Sequence, residues 1–166
     1  RSLYNQGGRV EKAGGGSFSA VPMVGPTLQR AYDAAHERMT GLSPEEADIV
    51  NGAVNQIIAA ESGGNAGARS RTSSAGGLGQ FIDSTWLNYA RKTDPGLSMW
   101  PDRAVLRMKT DTSPEGQKFQ RDVLKTFTAD NALKLKSSGL PINPVNLETV
   151  HFSGNTRMAA APAQTP

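Results

Sequence analysis

The chain has 166 residues but no cysteine, only two histidines and no apolar run long enough to span a membrane. The absence of cysteine excludes a disulfide framework and a thiolate metal site. Neither His36 nor His151 sits in a metal-ligand spacing, so we expect no metal and no cofactor. A membrane-spanning helix needs about 20 consecutive apolar residues. Because no such stretch occurs, we predict no membrane span.

Aromatic residues are also scarce, at 6% of the chain, whereas glycine and proline are abundant, with 18 and 10 residues. The glycines and prolines concentrate at the two ends and within 61–80, where they favour turns and extended segments. We therefore predict an extended Gly/Pro-rich arm or linker with a short helix at 1–40, a folded domain at 41–158 and a disordered tail at 159–166. The chain begins with Arg1 and shows no signal peptide, so we expect a processed product or an excerpt.

Helical signals dominate the predicted domain. Ser43 precedes Pro44 and stands three residues before Glu46, the pattern of a capping box at a helix N-terminus. Gly63 and Gly64 end this helix. Its core-facing residues recur at three- and four-residue steps, and they are Ala47, Val50, Val54, Ile57, Ile58 and Glu61. Similar signals predict helices at 28–39, 85–92, 102–108, 114–136 and 147–152. No segment alternates as a strand does, so the fold is predicted to be mainly α.

Glu61 is the most informative residue of this helix. The helical spacing puts its carboxyl on the core-facing side, at a C-terminus that opens onto a Ser- and Gly-rich loop. Burial disfavours the charged form, and so does the partial negative charge of the helix C-terminus, so both effects raise the pKa of the carboxyl. A carboxylic acid that keeps its proton in a cleft can protonate the leaving oxygen of a glycosidic bond. The alternative interpretation is a helix-end glutamate that points to solvent.

Three motifs carry a resemblance to a known family. They are Ala60-Glu61-Ser62-Gly63-Gly64-Asn65, Gly77-Leu78-Gly79-Gln80-Phe81 and Val150-His151-Phe152-Ser153-Gly154. Through them, residues 43–155 resemble the soluble lytic transglycosylases, which have a lysozyme-like, mainly α fold. Members of that family cleave the β-1,4 bond between N-acetylmuramic acid and N-acetylglucosamine in peptidoglycan. The resemblance therefore implies a lysozyme-like helical domain that acts on peptidoglycan glycan strands.

The resemblance also implies roles for single residues. Glu61 matches the catalytic general acid and base, and Ser70 matches a loop serine that hydrogen-bonds its carboxyl. Ser73 or Ser74 could take that place, because the loop is slightly longer than in the family. The expected substrate-binding residues are Ser62, Ser70, Ser73, Gln80, Phe81, His151 and Phe152. Gly79 departs from the family pattern, which has methionine there, so a more open cleft wall is expected.

A second catalytic carboxylate is not evident near Glu61 in the sequence. Glycosidases that use two carboxylates hold them roughly 5–10 Å apart. The next acid after Glu61 is Asp83, which is better explained as the cap of the helix at 85–92. Ser84 is an alternative cap for the same helix. The resemblance then implies a single-acid route. Glu61 protonates the leaving oxygen, the substrate N-acetyl group stabilises the sugar cation, and Glu61 takes the C6 hydroxyl proton, which gives a 1,6-anhydro sugar. A hydrolytic muramidase that uses the same glutamate with water is the first alternative.

Two further classes of function stay open. One is a wall-binding or assembly module with an inactive cleft, part of a phage virion or a secretion apparatus, which the lack of an apolar helix after Phe152 favours. Such domains, like the enzymes, act in the periplasm, in the cell wall or on a virion. The other class is a nucleic-acid binder, because residues 66–110 contain seven basic and three acidic side chains, an excess that suits an anionic partner such as a cell-wall polymer or nucleic acid. A solvated surface explains the same excess, and nucleic acid is not the expected partner. The basic residues are Arg69, Arg71, Arg91, Lys92, Arg103, Arg107 and Lys109, and the acidic ones are Asp83, Asp94 and Asp102.

Other candidate residues have simpler explanations. Trp86 and Trp100 could stack on sugar rings, but a tryptophan in an amphipathic helix is more often core. His36 is expected at the surface. Gly76-Gly77-Leu78-Gly79 lacks the Lys-Ser/Thr of a phosphate loop and follows no strand, which argues against nucleotide binding.

Overall fold

The computed structural model describes residues 28–153, so the predicted arm before residue 28 and the tail at 159–166 lie outside the described residues. The described part contains α1 (Leu28–Arg38), α2 (Pro44–Ser62), α3 (Asp83–Thr93), α4 (Asp102–Met108), α5 (Pro114–Ser137) and α6 (Pro144–Ser153), with short 3-10 helices at Met39–Gly41 and Pro95–Met99. It has no β-strand, only isolated bridges. The mainly α prediction is confirmed. Within the same residues, no helix combines the length and the hydropathy that crossing a membrane requires.

The boundaries of α2 follow from local chemistry. The Ser43 hydroxyl accepts a hydrogen bond from the Glu46 amide at 3.1 Å, and the Glu46 carboxylate accepts one from the Ser43 amide at 2.8 Å. This capping box satisfies amides that the first turn of a helix leaves unpaired, while Pro44 takes the first helical position. Gly63 ends the helix in the left-handed conformation, with a φ of 61°. Both predicted ends of α2 are confirmed.

α5 is the central helix, and each of the other five described α-helices packs against it. Its buried side chains divide between two apolar clusters, the larger around Trp86 and Phe119 and the smaller around Leu135. Trp86 is fully buried, and its indole N–H donates to the Val105 carbonyl at 2.7 Å. Such a bond lets a tryptophan enter a core without leaving a polar atom unpaired. Trp100 is buried as well, so the assignment of both tryptophans to the core is confirmed.

α1 belongs to the packed structure. Ala31 and Ala35 are fully buried, and Arg38 forms an ion pair with Asp130 of α5 at 2.8 Å. His36, on the other side of α1, is exposed as predicted. The packed unit therefore begins before residue 41, where the sequence suggested the start of the domain.

The loop between α2 and α3 is held by one side chain of α5. The side-chain oxygen of Gln120 accepts a hydrogen bond from the Leu78 amide at 2.7 Å. Its NH₂ group donates to the carbonyl oxygens of Ala66 at 3.3 Å and of Asp111 at 2.9 Å. Because Gln120 is only 2% exposed, these groups have no water to replace a lost partner. One buried amide thus brings the beginning and the end of the loop together at α5.

The N-terminus of α3 differs from the prediction. Asp83 is the first helical residue, and neither its side chain nor that of Ser84 caps the helix. The Asp83 carboxylate instead accepts a hydrogen bond from the Lys109 ammonium at 2.5 Å, and the same ammonium donates to the Ser74 carbonyl at 2.5 Å. Lys109 is buried, and a buried charge is costly unless it is paired. The cap prediction is wrong because tertiary packing brings a charged partner to Asp83.

Gly77→Ala is expected to destabilise the protein. Gly77 has a φ of 79°, and a Cβ at this position would clash with the Lys109 carbonyl and lie 2.6 Å from the side-chain oxygen of Gln120. Left-handed strain and the clash together should cost about 2 kcal/mol or more. The free energy of unfolding, measured in urea, tests this expectation.

Gly52→Ala in α2 is the matched control for that measurement. A Cβ at Gly52 meets nothing within 4 Å. Because alanine favours a helix over glycine, this variant should be more stable than the wild type by about 0.5–1 kcal/mol. Equal stabilities of the two variants would contradict the close packing of the loop.

Candidate active site

Glu61 lies on the last turn of α2, with its side chain partly buried. Ile57 and Ile58, one turn earlier, are buried in the core, as the helical spacing predicts. Burial raises the pKa of the Glu61 carboxyl, and the negative charge of Glu148 raises it further. The carboxyl therefore keeps its proton to a higher pH than an ordinary glutamate. The predicted direction of this shift is confirmed, whereas the contribution of Glu148 was not foreseen.

Glu148 is the functional candidate that sequence reasoning missed. It lies on α6, which packs against α2, and its charge is close enough to act on the pKa of Glu61. Helical spacing puts Glu148 on the same face as His151 and Phe152, three and four residues later. That spacing was the only signal in the sequence, because the approach of Glu148 to Glu61 depends on how two distant helices pack. The charge of a second carboxylate thus acts on the candidate acid.

His151 joins α6 to the end of the long loop. Its Nε2 lies 2.7 Å from the Gly79 carbonyl oxygen, and because a carbonyl only accepts, Nε2 carries the proton and donates. Burial lowers the pKa of His151, and the bond to Gly79 partly opposes this effect. The ring is therefore neutral near pH 7, with Nδ1 as an acceptor. No group within residues 28–153 hydrogen-bonds the buried Nδ1 atom.

His151 lines a cleft of about 540 Å³ whose walls combine aromatic rings and side-chain amides. The ring of Phe81 is buried and lies 5.6 Å from the His151 ring, in an edge-to-face arrangement. Burial raises the pKa of Tyr89 to about 12, and the charge of Asp130 adds to the effect, so the Tyr89 hydroxyl stays protonated. Phe152 lies at the rim and is 84% exposed. The lining also contains one charged side chain, Lys134, so the cleft suits a ligand with apolar faces and polar edges.

Gln80 lines the same cleft in a strained backbone conformation. Its φ of 51° is the only positive φ outside glycine among the described residues. Its side-chain NH₂ donates to the carbonyl oxygens of Gly77 at 3.0 Å and of Ala68 at 3.3 Å, which stabilises the turn. The side-chain oxygen is left as the atom that can contact a ligand. Strained non-glycine residues cluster at functional sites, so this turn supports a site here.

The structure brings half of the predicted site together. The residues that meet in the cleft are Gln80, Phe81, His151 and Phe152. Glu61 is not part of this lining. The connection between them is α6, because Glu148 acts on Glu61 one helical turn before His151 and Phe152 enter the cleft.

The predicted serines have other partners. The Ser62 hydroxyl donates to the Ile58 carbonyl at 3.0 Å, so it belongs to the end of α2. The Ser70 hydroxyl accepts hydrogen bonds from the amides of Thr72 and Ser73, at 3.2 Å each. Among the described residues no hydrogen bond joins Ser70 to the Glu61 carboxyl, and the other contact of the Ser70 hydroxyl is with the Thr72 hydroxyl at 3.4 Å. The physical reason is that a serine hydroxyl readily bonds the amides two and three residues later when the backbone turns.

Ser70 and Ser73 line a second pocket, of about 440 Å³, together with Asp83 and several basic side chains. The segment at 76–81 separates the two pockets, since Gly76 lines this one and Gln80 lines the cleft. The expected role of Ser70 and Ser73 in the cleft is therefore not supported. The carboxylate of Asp83 pairs with Lys109 in this second pocket.

The described residues contain no group of three or more His, Cys, Asp or Glu that could hold a metal ion. No protein-family model matches the chain, and neither does any curated protein or solved structure with which it was compared. A function can therefore be inferred only from the site itself. The described residues thus provide an acid of raised pKa under the influence of a second carboxylate and, apart from Glu61, a cleft with aromatic and amide walls.

His151→Gln is expected to reduce the pH dependence of stability. The pKa of His151 is lower in the folded than in the unfolded chain, so its contribution is complete above the unfolded value of about 6.5 and is lost as the pH falls toward the folded value. The difference in free energy of unfolding between wild type and variant should therefore shrink from about pH 7.5 to about pH 5. Urea unfolding at both pH values measures it.

The control for this variant is His36→Gln, at the chain's other histidine, which is exposed. Because this control retains His151, its free energy of unfolding should fall between pH 7.5 and pH 5 by as much as that of the wild type. A difference between wild type and His151→Gln that stays constant down to pH 5 would contradict a neutral, buried ring.

Proposed function

We propose that this chain is a peptidoglycan lytic transglycosylase with a lysozyme-like helical domain. The observation that carries the proposal is Glu61, a partly buried carboxyl whose pKa is raised by burial and by Glu148. Cleavage of a glycosidic bond needs an acid that still holds its proton when the substrate is bound. The mainly α fold agrees with this choice. So does the resemblance of the motifs around Glu61, Gln80 and His151 to the soluble lytic transglycosylases.

In the proposed reaction Glu61 acts first as an acid and then as a base. Its proton goes to the bridging oxygen between the two sugars as the bond from C1 to that oxygen breaks. The substrate's own N-acetyl oxygen stabilises the positive charge at C1. The Glu61 carboxylate then takes the proton of the C6 hydroxyl, whose oxygen bonds to C1. The enzyme recovers its proton and the product carries a 1,6-anhydro ring.

The cleft beside His151 is the proposed sugar subsite. A sugar ring has apolar faces and polar edges, so it fits between aromatic walls that carry a few hydrogen-bonding groups. Both the NH₂ group of Asn131 and the Nδ1 atom of His151 are buried and have no hydrogen-bond partner among residues 28–153. One is a donor and the other an acceptor. Both atoms lie beneath the cleft surface, so a sugar would reach them only after neighbouring side chains move.

Glu148 favours a second candidate, the hydrolytic muramidase. The single-acid route rested on the absence of another carboxylate near Glu61, and Glu148 removes that argument. A second carboxylate can act as a base that activates water, which would leave a reducing sugar instead of an anhydro ring. The two reactions share the acid role of Glu61 and differ in the role of Glu148.

The proposed substrate also determines the proposed location. Peptidoglycan lies outside the cytoplasmic membrane, so the chain would act in the periplasm or cell wall, or be carried there on a virion within a larger envelope-crossing assembly. A wall-binding module without activity is the alternative in the same setting. In that case the cleft would hold a glycan strand and Glu61 would have no chemical role.

Glu61→Gln is expected to abolish the clearing of peptidoglycan in a zymogram, with a loss of about 100-fold or more, because glutamine has no proton to give. The matched control is Glu45→Gln, on the first turn of the same helix, where the side chain is exposed. It should clear as the wild type does. Equal clearing by Glu61→Gln and wild type would contradict the enzymatic proposal. Peptidoglycan binding without clearing by any of the three proteins would favour the wall-binding module.

Glu148→Gln separates the two reactions. Removal of its charge should lower the pKa of Glu61, so the alkaline limb of the pH–activity profile should move to lower pH. For the transglycosylase, activity at the optimum stays within about tenfold and the products keep their anhydro ends. For the hydrolase, activity falls by about 100-fold or more because the base is lost. Mass spectrometry of the released muropeptides identifies the ends.

A further inference from the structure

The second pocket is strongly basic, and the proposed sugar reaction does not use it. We call it the basic pocket. Its polar lining comes from the loop before α3, from the first residue of α3, from α4 and from the residue after α4, and consists of Arg69, Ser70, Ser73, Ser74, Asp83, Arg103, Arg107 and Lys109. Its volume is about 440 Å³, which is enough for a small charged group and the chain on either side of it.

The charges in the basic pocket are not balanced. Asp83 is its only acid, and the buried Lys109 ammonium already pairs with that carboxylate. Asp102, the other acid nearby in sequence, pairs with Arg91 at 2.8 Å. Within residues 28–153 no carboxylate pairs with Arg69, Arg103 or Arg107. The pocket therefore keeps three positive charges available for a ligand.

The arginines are arranged to bind more than one anionic group. Arg103 and Arg107 are four residues apart on α4, so they share a face and their Cα atoms are separated by about 6 Å along the axis. Arg69 lies on the facing loop, where its guanidinium donates to the Thr110 hydroxyl at 2.9 Å. A guanidinium group binds phosphate oxygens with two parallel hydrogen bonds. The serine hydroxyls of the loop add further donors.

We propose that the basic pocket binds successive phosphate groups of a phosphodiester polymer that has no bases, such as a polyol phosphate chain. Two observations favour this class over single-stranded nucleic acid. No aromatic side chain lines the basic pocket, whereas proteins that bind single strands usually stack bases on aromatic rings. In addition, the only apolar side chain beyond alanine in the lining is Leu106. The inference does not depend on the proposed glycan cleavage, since the two pockets share no lining residue.

The experiment measures the binding of a fluorescent glycerol phosphate oligomer to the full chain. The test variant carries Arg103→Gln and Arg107→Gln, both at exposed positions. The matched control carries Arg121→Gln and Lys125→Gln, which have the same four-residue spacing on α5 and change the net charge equally. The test variant should bind about tenfold more weakly or worse, and the control within about twofold of the wild type. Arg69→Gln, on the facing loop, should also weaken binding of the oligomer. This single variant tests the proposal independently if the double variant folds poorly.

Four outcomes would overturn the proposal. Equal weakening in test and control variants would mean that only net charge matters. Displacement of the oligomer by inorganic phosphate at the same total phosphate concentration would mean that the pocket binds single ions. Tighter binding of an oligo(dT) of equal length would assign the pocket to nucleic acid. The absence of any saturable binding by the wild type would refute it as well.

Discussion

The buried amide of Gln120 holds the loop between α2 and α3, and residues of that loop line both the cleft beside His151 and the basic pocket. Its oxygen holds the Leu78 amide and its NH₂ group holds the Ala66 carbonyl, so two distant points of the loop meet at α5. The loop is not part of a sheet and the chain has no cysteine to link it. Loss of these hydrogen bonds would leave a buried amide without partners and lower the free energy of unfolding by on the order of 1–3 kcal/mol. The loop therefore has little freedom to leave α5.

The rest of the site follows from this anchor. Gly77 packs so closely against the Gln120 side chain that a Cβ atom would not fit between them. The next turn presents the Gly79 carbonyl to His151, whose bond ties α6 to the loop. α6 in turn brings Glu148 to Glu61 and raises the pKa of the candidate acid. The position of the loop and the protonation of Glu61 are therefore connected through one helix.

Local features could be predicted from the sequence, and features that depend on packing could not. The ends of α2 were predictable because Ser43 and Gly63 act on their immediate neighbours. Asp83 has the position of a cap, yet a buried lysine from a distant segment takes its carboxylate. Gln120 and Glu148 lie in helices among other polar residues. The sequence around each of them is compatible with a side chain that faces water and with one that contacts another helix or loop, so their roles could not be predicted. The hydrogen bond between His151 and Gly79 joins residues 72 positions apart in the chain, and helical spacing carries no information about such a pairing.

The central claim is that the pKa of the Glu61 carboxyl lies above the ordinary value of a glutamate. The most direct test is a carbon-13 NMR titration of the Glu61 side-chain carboxyl in the full chain. The structure predicts a pKa above the ordinary value of a glutamate, because the side chain is partly removed from water and faces a second negative charge. A pKa at or below that ordinary value would contradict the account.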